Sequence, residues 1–164
     1  MASPACPAGG ERPLTEGEAA LVRFVFGHAI DPAPVRLRRR KWFAFQPRDI
    51  IMAPAGHLHF HPHSPHWCDD FAQASLSAQG LFIHEMTHVW QAQKHGRLYL
   101  PLRRHPFCRY HYVLHPGWPL ERYGLEQQAE IVRHAFLLRK GARIAGVTDA
   151  RAYALLVDFP GAEV

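Results

Sequence analysis

The residues His84-Glu85-Met86-Thr87-His88 bring two imidazoles and a carboxylate together in one short segment. On an α-helix, side chains four residues apart lie on the same face, about 6 Å apart along the axis. Two histidines with this spacing can hold one tetrahedral zinc ion through nitrogens at about 2.0–2.1 Å. Glu85 lies to one side of the pair, where it can accept a proton from a metal-bound water without being a ligand. The spacing therefore predicts a metal-dependent hydrolase with Glu85 as the general base.

The segment around this motif has the pattern of a buried helix. Residues 76–95 contain no proline, and Gly96 follows them as a candidate C-cap. Buried histidines and carboxylates are costly unless they are paired or bind a metal. The chain has 13 histidines, which makes a chance match to the motif easier, so the helix context carries the argument for a metal site. Apolar residues cover much of the circumference of this helix, as in a buried helix: Leu81, Phe82, Ile83, Met86, Val89 and Trp90.

A catalytic zinc site needs a third protein ligand and an open fourth position. His95 lies seven residues beyond the motif, about 10 Å further along the helix, which is too far to reach the same ion. The longer pattern HExxHxxGxxH is excluded because Gln91 and Lys94 stand where it requires Gly and His. Glu126 and Glu130 lie four residues apart on a second predicted helix and share one of its faces. Two carboxylates on one face of a core helix point to a nearby cation.

An HExxH helix followed by a helix with two acids four residues apart resembles the gluzincin branch of zinc metallopeptidases. The resemblance covers about residues 76–140. It implies that His84, His88 and Glu126 bind Zn²⁺, that Glu85 is the general base, and that Glu130 orients a ligand imidazole by a hydrogen bond. Many members have Asp where this chain has Glu130. The longer side chain leaves open which glutamate binds the metal, and we favour Glu126.

A looser similarity links Leu81–Trp90 and Glu121–His134 to small bacterial proteins labelled "Vgr-related", after a type VI secretion spike. It implies association with a secretion apparatus and establishes no activity. The N-terminal stretch has neither a basic n-region nor an apolar h-region, so we expect a protein that is cytoplasmic or exported without a Sec signal. No run approaches 18 apolar residues, so we expect no membrane partner.

The chain that positions these residues has 164 residues, which is the size of one domain. Hydrophobic residues make up 48% and charged residues 20%, a composition that excludes a mostly disordered chain. Residues 1–14 are rich in Pro and Gly and predict a flexible tail. We therefore expect a single zincin-like metallopeptidase domain over residues 15–164.

The pattern along this domain predicts a compact, zincin-like α+β fold. Thr15 and Glu18 form a capping box at the start of a first helix. Alternating residues over 35–60 predict a β-hairpin or a small antiparallel sheet that packs on the HExxH helix. A second long helix covers about residues 122–140, and Thr148 can cap a last helix.

Further polar residues could line the cleft. A zinc peptidase needs a donor for the oxyanion of its tetrahedral intermediate. A second histidine group lies on and after a predicted strand; we interpret it as a solvated strand, with a secondary metal site or an edge that pairs with an extended substrate as alternatives. The available oxyanion donors are Tyr110, His111, Tyr112, His115 and Tyr123, and the histidine group is His57, His59, His61, His63 and His66.

Charge and cysteine content exclude other classes of protein. The net charge is +5, and a basic run lies at residues 36–41. No nucleic-acid fold signature accompanies this run, so we interpret it as a solvated sheet end and do not expect a nucleic-acid partner. The three cysteines are too few and too scattered for a disulfide scaffold.

The sequence as a whole predicts zinc-dependent hydrolysis of a peptide or protein substrate by a metal-activated water, with Glu85 as general base. Two other interpretations stay open. One is a catalytically silent zinc-binding module that keeps the ligands and lacks an accessible cleft. The other is a His-rich metal-handling protein, which would bind more than one metal per chain.

Overall fold

A computed structural model of the protein describes residues 5–105 and 107–164. Its helices are α1 (Glu16–Phe26), α2 (Leu76–His95), α3 (Tyr99–Arg103), α4 (Leu125–Arg139) and α5 (Ala150–Leu156). Its strands are β1 (Glu11–Pro13), β2 (Arg36–Arg38) and β3 (Leu58–His59). The predicted α+β fold class is confirmed. Among the described residues, no helix has the length and apolar character needed to span a membrane.

The small sheet is mixed, with the order β1-β2-β3. Strands β1 and β2 pair antiparallel, whereas β2 and β3 pair parallel. The prediction of an antiparallel sheet is therefore wrong for β3. The cause is that the turn after Pro54 pairs β3 with Met52: the Met52 and His59 backbones exchange hydrogen bonds of 3.0 and 2.7 Å. This local hairpin leaves β3 to meet β2 in the parallel direction.

The first described residues are tied to the domain, in contrast to the predicted flexible tail over residues 1–14. Cys6 is buried, and its backbone N–H donates to the Asp69 carboxylate at 3.2 Å. Gly9 and Gly10 exchange backbone hydrogen bonds with Arg39, at 2.8 and 2.9 Å. The glycines permit a turn, with φ of +85° at Gly9, that leads the chain into β1. Residues 1–4 of the predicted tail lie outside the described residues.

The predicted capping box at the start of α1 is confirmed. The Thr15 hydroxyl accepts from the Glu18 N–H at 3.0 Å, and the Glu18 carboxylate accepts from the Thr15 N–H at 2.9 Å. The same carboxylate is fully buried and pairs with both terminal nitrogens of Arg12, at 2.7 and 2.8 Å. It also accepts from the Phe71 N–H at 2.9 Å. One buried ion pair thus joins β1, α1 and the segment before α2.

The HExxH motif lies in α2, the central helix of the core. Phe60, Phe71 and Phe82 form a continuous row of buried rings, with centroids 5.9 and 5.1 Å apart, that connects the end of the sheet to α2. Helix α2 packs most extensively against α4. Residues 120–122 form a 3₁₀ turn, so α4 begins at Leu125, three residues later than predicted. Asp149, rather than Thr148, caps α5.

Candidate metal centre

Helices α2 and α4 bring three of the predicted site residues into contact. Two turns of α2 present the rings of His84 and His88, and the first turn of α4 presents the carboxylate of Glu126. The Nε2 atoms of His84 and His88 lie 3.2 and 3.1 Å from the same oxygen, Glu126 Oε2. All three residues are buried.

These distances fit a metal site. Two atoms at about 2.0–2.1 Å from a tetrahedral ion are themselves about 3.3 Å apart. One potential ligand atom each from His84, His88 and Glu126 lies within 4.8 Å of the other two. Two imidazole nitrogens and one carboxylate oxygen form a donor set typical of zinc enzymes.

The outer nitrogens of both imidazoles are held by hydrogen bonds. His84 Nδ1 donates to Glu130 Oε1 at 2.7 Å, and His88 Nδ1 donates to Gln91 Oε1 at 2.8 Å. A proton held on Nδ1 leaves the Nε2 lone pair available to a metal. Glu130 therefore lies on the outer side of His84, whereas Glu126 lies on the side where the two Nε2 atoms meet.

The charges of the site are strongly coupled. Burial acts to lower the pKa of His84, but its contacts with Glu126 and Glu130 outweigh burial and raise that pKa to about 9. Burial acts to raise the pKa of Glu126, yet the contacts from His84 and His88 hold it well below the ordinary value. Protein charges alone thus bind a proton where a metal cation would lie.

Glu85 is a buried carboxyl group next to this cluster. Within the described part of the chain, its Oε2 atom has no hydrogen-bond partner. Burial raises the pKa of Glu85 above its usual range, and the nearby imidazoles of His84 and His88 oppose that shift. A carboxyl group in such a setting is suited to taking up and returning a proton.

The cluster borders an open cavity of about 680 Å³. His84, Glu85 and Glu130 line one part of this cavity, and Arg104 and Tyr110 line another. Its volume is within the range of small-molecule and peptide sites. A substrate in this cavity would therefore lie against His84 and the mostly buried Glu85.

Two side chains to which the sequence analysis gave no role in the site, Arg104 and Gln91, support the cluster. Arg104 Nε lies 3.0 Å from Glu126 Oε1, the carboxylate oxygen that faces away from the histidines. The fully buried Gln91 donates to Leu125 O at 3.1 Å and to Gln128 Oε1 at 2.9 Å. Gln91 follows His88 by three residues, a helical spacing that could have identified it. Arg104 lies in an irregular segment, where no periodic signal exists.

Among the five predicted oxyanion donors, Tyr110 lines the cavity next to Glu85. Its ring stacks near His84, with centroids 6.3 Å apart. Tyr112 is engaged elsewhere, since its hydroxyl contacts His134 and lies 2.9 Å from the Tyr153 hydroxyl. The Tyr123 hydroxyl accepts from the His115 N–H at 2.8 Å, and His111 is exposed.

The histidines of residues 57–66 do not assemble like the motif histidines. Among the described residues, the metal-binding geometry brings together only His84, His88 and Glu126. His59 is buried, so the interpretation of a solvated strand is wrong at this residue. Its backbone pairs with Met52, so the alternative of a free edge at residues 57–61 that pairs with an extended substrate is also wrong. In the neighbouring basic run at residues 36–41, the side chain of Arg38 pairs with Glu11, at 3.1 Å.

Comparison with known proteins places this arrangement in a family. No family model matches the chain. It is 41% identical over 156 residues to the type VI secretion system spike protein VgrG2b of Pseudomonas aeruginosa PAO1, a match that covers 91% of this chain and 15% of that protein. It is also similar to the solved effector domain of P. aeruginosa VgrG2b, with 39% identity, a TM-score of 0.69, and coverage of 84% of this chain and 79% of that one. The chain belongs to the VgrG2b effector-domain family.

Membership of the VgrG2b effector-domain family confirms the looser of the two resemblances, the one to proteins named after a secretion spike. The chain spans about 15% of the length of the curated VgrG2b protein, so the similarity concerns the effector part of that protein. The resemblance to gluzincin peptidases stays a prediction, based on the motif and the geometry described above.

Proposed function

We propose that this protein is a zinc-dependent peptide hydrolase that acts as a type VI secretion effector. The observation that carries the proposal is the convergence of His84 Nε2 and His88 Nε2 on Glu126 Oε2, beside the unpartnered carboxyl group of Glu85. A buried acid next to two buried histidines has no packing role that an apolar side chain would not fill better. The proposed catalytic domain comprises the predicted residues 15–164 together with β1, which pairs with β2.

In this proposal His84, His88 and Glu126 hold Zn²⁺, and Glu130 orients the His84 ring. When bound, zinc supplies a Lewis acid that polarises a carbonyl and lowers the pKa of a water molecule to about 7. Arg104 forms an ion pair with the second oxygen of Glu126 at 3.0 Å, and this attraction favours the orientation in which Oε2 is turned toward the two histidines. Because Glu126 lies where the two Nε2 atoms meet, this geometry favours Glu126 over Glu130 as the third ligand.

Glu85 is the proposed proton carrier. Its Oε2 atom accepts a proton from the attacking water and returns it to the leaving amine. The raised pKa of Glu85 makes its carboxylate a stronger base than an exposed glutamate, which favours uptake of the proton from the water. Tyr110 is the proposed donor to the oxyanion, because it lines the same cavity.

The family supports the secretion part of the proposal. The relative VgrG2b is a type VI secretion spike protein, and its solved relative is an effector domain. We infer that this chain associates with a secretion spike and leaves the cell by that route. Its substrate is then a peptide or protein of the recipient.

The test combines metal content with the Glu85→Gln variant, using fluorescein-labelled casein as substrate. We expect one zinc per chain in both proteins and a loss of hydrolysis of about 100-fold or more in the variant. Glu16→Gln, an exposed glutamate on α1, is the matched control and keeps full activity. Wild-type hydrolysis in Glu85→Gln would contradict the assignment of the base. A silent binding module would bind zinc and hydrolyse nothing, and a metal-handling protein would bind several ions per chain.

A further inference from the structure

A second cavity, of about 530 Å³, adjoins the candidate metal centre. We name it the aromatic cavity, because Trp42 and Phe43 form one of its walls; Met52 and Leu100 also line it. Arg104 and Tyr110 line both this cavity and the one that contains Glu85. The proposed ligand Glu126 also faces the aromatic cavity.

The aromatic wall is held in a defined shape. Gln46 is buried beneath it and accepts a hydrogen bond from the Trp42 N–H at 2.7 Å. Its amide group donates to Ile50 O at 2.8 Å and to His59 O at 3.0 Å. The Trp42 ring also meets the His59 ring edge to face, with centroids 5.1 Å apart. The loop of residues 42–46 is therefore anchored to the sheet by one side chain.

This anchored wall exposes apolar surface to solvent. Trp42 and Phe43 are 47% and 43% exposed, although each adjoins a cavity that an apolar group could fill. Apolar surface left in water and held in place beside a reaction centre is typical of a binding site. Phe45, in the same loop, is 90% exposed and does not line the cavity, so it serves as an internal reference.

We propose that the aromatic cavity binds a large apolar side chain of a peptide substrate, next to the bond that the metal centre cuts. This inference rests on the proposed peptide hydrolysis. The occupant is apolar because the charge of Arg104, on the cavity wall, is already paired with Glu126 at 3.0 Å. It belongs to a peptide because the proposed ligand Glu126 lines this cavity, and because Arg104 and Tyr110 line both this cavity and the one beside Glu85.

The test begins with the cleavage sites. Denatured casein is digested by the zinc-loaded full chain, and the products are sequenced by mass spectrometry. We expect a large apolar residue at one fixed position relative to the cut bond. Two peptides that differ only by Phe or Ala at this position should then differ at least about 10-fold in kcat/KM.

Variants of the wall assign this preference to the cavity. Trp42→Ala should lower the Phe-to-Ala ratio at least about fivefold, and Gln46→Ala should lower it by releasing the loop. Phe45→Ala is the matched control and keeps the wild-type ratio. Circular dichroism and zinc content verify that each variant is folded, and Phe43→Ala replaces Trp42→Ala if the latter fails this check. A wild-type ratio near one, or a ratio unchanged by both wall variants, would overturn the inference and leave the proposed function intact.

A binding measurement keeps the two proposals separable. Zinc-loaded Glu85→Gln is titrated with an acetylated and amidated glycine heptapeptide that carries a central Phe, and with its Ala counterpart. The Phe peptide should bind at least about 10-fold more tightly, and Trp42→Ala in the same background should remove most of that difference. Equal affinities would overturn the inference. Absence of casein hydrolysis by the wild-type chain would overturn the proposed function, and the titration would still decide the role of the cavity.

Discussion

Gln91 offers a sharp test of the metal centre, because it holds a ligand imidazole without touching the metal. Its side chain makes three hydrogen bonds, to His88 Nδ1, Leu125 O and Gln128 Oε1, at 2.8, 3.1 and 2.9 Å, and the first and last of these are buried. The change Gln91→Leu keeps a similar side-chain volume and leaves these three groups without the hydrogen bond to Gln91. At about 1–3 kcal/mol for each buried group left without a partner, and with some relaxation, we expect a loss of about 3 kcal/mol in the free energy of unfolding.

The same change should weaken zinc binding about 10- to 100-fold, because the His88 ring loses the contact that fixes its tautomer and orientation. The zinc dissociation constant is measured by competition with a chelator, and the free energy of unfolding by urea titration of the metal-free protein. Gln93→Leu is the matched control: Gln93 lies on the same helix, is exposed and bonds to Asp31, so zinc affinity should not change. A Gln91→Leu protein that is less stable but binds zinc as tightly as wild type would refute the positioning role.

Two further predictions concern the fold. The change Glu18→Gln leaves the buried Arg12 without its carboxylate partner and should lower the free energy of unfolding by about 3–5 kcal/mol in urea titrations. The change Glu16→Gln, at an exposed residue, should alter this free energy little. Equal effects of the two changes would contradict the buried ion pair. Burial, and to a lesser extent the charge of Arg38, lower the pKa of His59 from 6.5 to about 4. As the pH falls, the His59 imidazole is therefore protonated in the unfolded chain before it is protonated in the folded one. The free energy of unfolding should therefore decrease between pH 6.5 and 4, by up to about 3 kcal/mol from this group. In the metal-free protein, His59→Gln should make this decrease smaller. If the free energy of unfolding falls equally with pH in both proteins, the role of His59 is contradicted.

The helical part of the fold was predictable because its signals are local. The capping box of Thr15 and Glu18 and the apolar circumference of α2 depend on residues within a few positions of one another. The sheet was not predictable in the same way. The local pattern predicted a hairpin or small antiparallel sheet over residues 35–60, but the pairing of β3 with β2 depends on the path of the long connection between them. Proline and glycine before Glu11 predicted a flexible tail, because the sequence could not show that this segment would bond to Arg39 and Asp69.

The same distinction applies to the candidate site: its helical residues were predictable, and its residues in irregular segments were not. The spacing of His84 and His88 placed both on one helix face, and the resemblance to gluzincins pointed to Glu126. The contact of Arg104 with Glu126, and the wall formed by Trp42, depend on irregular segments that no periodicity describes. Side chains brought in by loops are decided by tertiary packing, so the cavity could not be predicted from the motif.

The central claim is that His84, His88 and Glu126 hold one zinc ion. X-ray absorption spectroscopy on the zinc-loaded protein tests it most directly, together with zinc stoichiometry by mass spectrometry. We predict one zinc per chain, two imidazole ligands and oxygen ligands, all at about 2.0–2.2 Å, and loss of this signal in Glu126→Gln with the wild-type spectrum retained in Glu121→Gln. A protein that binds no zinc, or one whose zinc spectrum is unchanged in Glu126→Gln, would contradict the claim.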